Sequence, residues 1–443
     1  MRRSLALVSS LLLVATFATP AQSAGAKYSV YQKTLAAFSS SATTLTSQQK
    51  AQVKASVDAN PYAEKFICTG IRYYDQPMSV NITVRKRAKA ACDYAKQLNP
   101  ELSTWFQNKP TQARSYAGKV LLTVKTSQET INNPGVTLDS YDPEMISAMA
   151  AFQVRAYLDQ QPDAAGKIEL RTGPGITKEQ SASEMARLEN SAKLWGSIYR
   201  KDPLVILYTG SDLDWVIEQL HSLGNPFLDS HIKSGTTGTC IASSAVDMDN
   251  EYPPYIIQCV RDDMALERVG HIGAHEFTHM PLSHFFNQDK GGVFSESPKW
   301  VNEGGADFFG IATTISQTGA TYDYWYDKHL AVLRDVLVGT SNPTSLQLKD
   351  WLRTISKEDL ASIYLELEQP SEIKDGPEKY SLGFWATELL VAVYGLDTYF
   401  QFLQSMNSAQ TWQETFEEVY QVSLAKFYEN VTPYVHWIAT EYK

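Results

Sequence analysis

Beyond its first 26 residues the chain has no hydrophobic run of membrane-spanning length, and among its 443 residues it has only four cysteines and eight histidines. Given the first lack, no membrane-spanning helix is expected in the mature chain, because a helix needs about 20 consecutive apolar residues to cross a bilayer. No two cysteines stand in a CxxC spacing, which argues against a zinc ribbon or a redox pair. No segment repeats at a solenoid period, so a repeat array is excluded. Charged residues make up 20%, close to the globular average, and wholesale disorder is not expected. At 443 residues the chain exceeds one ordinary domain and should form two or three.

The amino terminus carries the pattern of an export signal. Arg2 and Arg3 precede an apolar stretch from Leu5 to Ala18, and small residues follow at Ala21-Gln22-Ser23 and Ala24-Gly25-Ala26. The stretch is too short to span a bilayer, so residues 1–26 are expected to be a cleaved signal peptide and the product secreted or held in the cell envelope. Cleavage leaves 37 basic against 49 acidic residues, a net charge of −12. That balance disfavours nucleic acid and gives no sign of a polybasic membrane patch. Outside the cytoplasm, Cys68, Cys92, Cys240 and Cys259 would meet oxidising conditions, and three pairings are open to them. Pairing Cys68 with Cys92 and Cys240 with Cys259 keeps each bridge within one proposed unit and is preferred.

Along the mature chain, residues 27–47 are rich in Ser, Thr and Ala and read as a weakly ordered lead-in. A small α/β module should occupy 27–126, with helices at Gln48 to Ala59 and Thr83 to Leu98 and strands at Ala63 to Ile71 and Lys119 to Lys125. Turn signals at Asn132-Asn133-Pro134-Gly135 and Tyr141-Asp142-Pro143 mark a linker region, 127–163, holding a short helix from Glu144 to Leu158. From 164 to 443 one larger unit is expected: a strand at Lys167 to Arg171, a helix at Lys178 to Tyr199, a strand at Pro203 to Tyr208, then helices to the carboxyl end. The fold class is α+β and mainly helical.

The chemistry concentrates in His271-Ile272-Gly273-Ala274-His275-Glu276-Phe277-Thr278-His279, which contains an HExxH arrangement. Helical residues four apart differ in direction by only about 40°, so His275 and His279 face the same way and can grip one metal ion. Glu276, beside the first ligand, falls next to the metal. A third ligand is required.

The segment Trp300-Val301-Asn302-Glu303-Gly304-Gly305-Ala306 resembles the helix that supplies the third ligand in gluzincin zinc peptidases. The resemblance implies that Glu303 completes a site for one zinc ion with His275 and His279, and that Glu276 activates a bound water. Asp307, four residues after Glu303, is placed to accept a hydrogen bond from a zinc histidine, with Asn302 in a similar supporting role. Between His279 and Glu303 lie 23 residues, a few more than is usual in that family, and the polar loop Asn287 to Gly292 accommodates the excess. Tyr380-Ser381-Leu382-Gly383 is similar to the gluzincin segment bearing a tyrosine near the zinc, which implies that Tyr380 stabilises the oxyanion. His271 and His284 are not needed for this chemistry. Met248-Asp249-Asn250 matches only part of an aminopeptidase substrate-anchoring motif.

In the first module, Cys68-Thr69-Gly70, Asn81 leading into Arg87-Ala88, and the strand from Lys119 resemble an OmpA-like domain. That resemblance implies cell-wall association, although Gly70-Ile71-Arg72 lacks the aspartate that the family uses. The expected function is a secreted zinc metallopeptidase acting on a peptide or protein. The alternatives are a non-catalytic envelope-binding protein on the same scaffold and a zinc amidase of cell-wall peptide.

Overall fold

The computed structural model describes residues 28–76, 78–127, 135–161, 167–224, 229–236, 243–246, 254–260, 271–286, 297–318, 326, 329–330, 333–336, 344–368, 378–406 and 410–442. The expected signal peptide, the loop Asn287 to Gly292, Cys240 and Met248-Asp249-Asn250 lie outside them.

The first sheet is built from β1 (Tyr28–Thr34), β2 (Lys65–Tyr73), β3 (Ser103–Thr111) and β4 (Val120–Ser127), with α1 (Ser47–Asp58) and α2 (Met78–Leu98) interleaved. The strand order is β1-β4-β2-β3; β2 and β3 run parallel, and both partners of β4 run antiparallel to it. Thr46 and Gln49 close a capping box that fixes where α1 starts. Val53, Ala88, Ala91 and Ala95 from the helices pack on Phe66, Val120, Leu122 and Val124 of the sheet. A disulfide between Cys68 and Cys92 fastens β2 to α2, which is the expected pairing. Cys259 is also disulfide-bonded.

Two strands here were not anticipated. β1 arises within the segment expected to be a loose lead-in, because pairing with β4, distant in sequence, supplies backbone hydrogen bonds that no local periodicity announces. β3 contains Asn108, Lys109 and Pro110, which weaken its strand signal. It forms at the sheet edge, where a proline costs no ladder bond.

The remaining elements are α3 (Pro143–Gln160), β5 (Glu169–Thr172), α4 (Lys178–Trp195), β6 (Leu204–Tyr208), α5 (Leu213–Ser222), α6 (Asp229–Thr236), β7 (Ser243–Val246), β8 (Tyr255–Cys259) and α7 (Ile272–Phe286). A π-helical turn, Trp300–Gly304, leads into α8 (Gly305–Thr318), followed by β9 (Leu333–Val336), β10 (Thr344–Gln347), α9 (Leu348–Leu352), α10 (Lys357–Glu366) and α11 (Glu378–Tyr394). The chain closes with α12 (Leu396–Gln404), α13 (Trp412–Tyr420) and α14 (Leu424–Thr440).

The second sheet has the order β5-β6-β8-β7, with the first three strands parallel and β7 antiparallel. β6 and β8 are buried throughout because both faces of the sheet are covered. Val205, Leu207 and Ile256 join the large helical core on one face, and Leu204, Ile206, Tyr255 and Ile257 join a smaller core under α5 on the other. Helices do not run unbroken to the carboxyl end as expected, since β7 to β10 intervene. β8 is a short apolar run that reads equally well as buried helix or buried strand, and β7, β9 and β10, at four residues each, are too short to show a period.

Within the expected linker, α3 starts at an Asp142 cap with Pro143 in its first turn. It buries Ile146, Met149, Val154 and Leu158 in the large core. Among the described residues no helix is long and apolar enough to cross a membrane. The architecture is thus α+β and mainly helical.

Candidate metal centre

α7 is buried on nearly every side, and this roots its histidines in the core. His275 and His279, one turn apart, bring their Nε2 atoms to 3.0 Å of each other. Glu303 Oε2 approaches them from the π-helical turn, 3.8 Å from His275 Nε2 and 3.6 Å from His279 Nε2. The three donor atoms lie within 4.8 Å of one another, and this group could hold a metal ion.

Main-chain contacts set this convergence. A side chain on Gly310 of α8 would meet the His275 nitrogen at 2.8 Å, so the two helices cross where only glycine fits. Gly304 and Gly383 do the same for the π-helical turn and α11, their backbones touching directly. Trp300 anchors the turn by donating from Nε1 to the Tyr428 hydroxyl at 3.1 Å. π-Helical turns recur at functional sites because the wider winding re-aims side chains.

The outer ring nitrogens of both histidines are engaged. His275 Nδ1 meets Asp307 Oδ1 at 2.7 Å, and His279 Nδ1 meets Asn302 Oδ1 at 3.1 Å. A carboxylate and an amide oxygen only accept, so each Nδ1 carries the proton and each Nε2 of a neutral ring is left with its lone pair. Two lone pairs and a carboxylate oxygen then face one another, and this arrangement attracts a cation.

Electrostatics follow the same contacts. Burial disfavours charge on His275, but the hydrogen bond and negative charge of Asp307 outweigh it and raise its pKa to about 9. Burial and the neighbouring His275 charge push His279 down to about 4. Burial alone would raise Asp307, but hydrogen bonds from His271 and His275 hold it well below the usual carboxylate range. A single proton on the pair and a cation compete for the same lone pairs.

Tyr380, in the first turn of α11, has its ring 6.1 Å from that of His275. Burial, then the charges of Glu303, Asp307 and Glu276, keep its phenol protonated far above the usual range. Glu276, half-buried beside His275, exerts its charge on both His275 and Tyr380.

Three further residues belong to this neighbourhood. Lys379 Nζ lies 3.6 Å from Glu303 Oε1, the oxygen turned away from the histidines, and 5.1 Å from the Tyr380 ring centre. His271 Nε2 is 3.5 Å and His329 Nε2 3.9 Å from the Asp307 carboxylate. His329 Nδ1 also meets the Ser381 hydroxyl at 3.0 Å. The four-residue spacing of His271 and His275 hinted at His271, and the adjacency of Lys379 to Tyr380 could have flagged Lys379. No local pattern marks His329. His284 instead packs against Tyr199 and Phe285.

No protein-family model, curated protein or solved structure matches the chain.

Proposed function

We propose that this protein is a zinc-dependent peptidase of the gluzincin type, exported from the cell that makes it. The observation that carries the reading is the convergence of His275 Nε2, His279 Nε2 and Glu303 Oε2, with Asp307 and Asn302 holding both rings by their outer nitrogens. Ligands about 2.0–2.1 Å from a tetrahedral zinc lie roughly 3.3 Å apart, and separations of 3.0, 3.6 and 3.8 Å bracket that value. Two imidazoles and one carboxylate are a donor set suited to catalytic zinc, which keeps a position open.

A bound zinc ion supplies Lewis acidity, which brings the pKa of a water toward about 7. With zinc held by His275, His279 and Glu303, Glu276 would be the base that takes a proton from the attacking water and passes it to the departing amine. Tyr380 is a neutral donor at any working pH, so its hydroxyl can stabilise the oxygen that gains negative charge. Asp307 fixes the ring of His275, and Lys379 holds the outer oxygen of Glu303.

The disulfide in the first module is in keeping with an oxidising, extracytoplasmic location. The decisive experiment is Glu276→Gln, with zinc content and peptide hydrolysis measured together. Zinc should be retained and hydrolysis lost. A fully zinc-loaded native protein that cleaves nothing in a broad peptide library would overturn the assignment in favour of a binding protein.

A further inference from the structure

Four large hydrophobic side chains stand exposed among the described residues, and three of them belong to the first module. Tyr74, Ile82 and Trp105 are 56, 57 and 64% exposed. Charge is just as uneven. Residues 27–126 carry 15 Lys and Arg against 5 Asp and Glu, whereas residues 127–443 carry 22 against 44. The acidic average of the mature chain therefore conceals a module of net +10 joined to a body of net −22.

The exposed apolar groups gather along one rim. β3 is the last strand of its sheet, and its alternate residues point to opposite faces. Phe106 pairs with Cys68, whose disulfide to Cys92 marks the face covered by α2. Trp105 therefore lies on the other face, where it is exposed with Gln107 and Lys109. Around the edge, Arg85 and Lys89 of α2 sit over the Phe106 ring at 5.4 and 5.9 Å. Ile82, three residues before Arg85, shares their helix face.

The Asn81–Asn108 contact and a 3.0 Å bond from the Tyr74 N–H to the Thr111 carbonyl fasten Ile82 and Tyr74 to the far end of the same strand. Arg114, over the Tyr73 ring at 5.1 Å, adds a cation there. Lys89 is paired with Asp93 at 2.6 Å, so the rim draws its positive charge mainly from Arg85, Lys109 and Arg114.

We infer that this rim docks the protein on an anionic lipid surface. Indole and phenol rings favour the headgroup layer, and each Lys or Arg adds attraction to anionic lipid. A nucleic acid or a charged glycan would also engage the cations, but neither gives the Ile82 side chain an apolar environment, whereas a bilayer does. Like-charge repulsion holds the acidic body away from the same surface, so the module meets the lipid with the metal-bearing unit turned outward.

The test is co-sedimentation of the full mature chain with two kinds of vesicle, pure phosphatidylcholine and phosphatidylcholine with about 30% phosphatidylglycerol. The chain should bind the second and not the first, and added salt should release it. Trp105→Ala and Lys109→Glu, both at exposed positions, should each weaken binding roughly tenfold. The inference is overturned by equal binding to both vesicles, by no binding to either, or by Trp105→Ala binding as the native chain does. Capture by isolated wall glycan or by nucleic acid, with anionic vesicles ignored, overturns it as well.

Discussion

Replacing Asp307 by asparagine removes one charge from beneath His275 and leaves the shape of the side chain intact. The carboxylate accepts from His275 Nδ1 at 2.7 Å in a buried setting, and it stays ionised there because His271 and His275 both hydrogen-bond to it. A hydrogen bond to a charged group contributes about 1.5–3 kcal/mol, against roughly 0.5–1.5 for a neutral one, so the exchange should cost about 1–2 kcal/mol in ring orientation and ligand basicity. Since 1.4 kcal/mol is a factor of ten, zinc affinity should fall about 10- to 30-fold. Asp307→Ala deletes the acceptor altogether and should approach the ~100-fold loss seen when outer-shell partners are removed. Competition with a chromophoric chelator at neutral pH gives the zinc Kd, and thermal melting of the metal-free protein reports any separate loss of stability. If both variants bind zinc within about twofold of the native protein, Asp307 does not orient a metal ligand and the reasoning from outer nitrogen to inner lone pair fails.

Four other outcomes follow from the same geometry. Tyr380→Phe should lower kcat about 10²- to 10³-fold with little change in KM, and steady-state kinetics showing a pure KM effect would remove Tyr380 from oxyanion stabilisation. Gly383→Ala should destabilise by at least about 1–3 kcal/mol in denaturant titration, because the new methyl meets the Trp300 carbonyl and the Gly304 backbone. Burial raises the Glu388 pKa to about 7 despite hydrogen bonds from Tyr326 and Tyr434, so the folded state holds this proton more tightly than the unfolded one. Its contribution to stability is therefore greatest below about pH 4.5 and is lost as pH rises toward about 7, a span of roughly 3 kcal/mol that Glu388→Gln should flatten in melts across that range. Breaking the Cys68–Cys92 bridge, which closes a loop of 24 residues, should cost the first module about 3 kcal/mol, measured by comparing the native chain with a double serine variant.

The candidate metal site was legible in the sequence wherever its logic is local. His275 and His279 are four apart on one helix, and the Trp300 to Ala306 segment carries Asn302, Glu303 and the approach to Asp307 within two turns. The π-helical winding at Trp300–Gly304 left no trace in the pattern, since composition does not separate a π turn from the α-helix that continues it. Lys379 and His329 reach the site only because α11 seats against the π-helical turn and against His329, relations set by packing across tens of residues. In the fold, elements with their own caps or strong periodicity, such as α1, α2 and α4, emerged close to where they were expected. β1 and β3 did not, because β1 draws its hydrogen bonds from a distant partner and β3 has an edge strand's tolerance for proline. The basic module was hidden for a simpler reason: a sum over the whole chain cancels opposite charges on different parts of it.

The seating of Gly304 on Gly383 has a consequence for how the site can change. Glu303 and Tyr380 each lie within three residues of that contact, so their spacing is dictated by main chain touching main chain and owes little to the side chains around them. Substitutions in the surrounding aromatic core would carry the carboxylate and the phenol along together. Variation in what the protein accepts would then have to enter through residues farther from that junction, leaving the distance between these two groups conserved by construction.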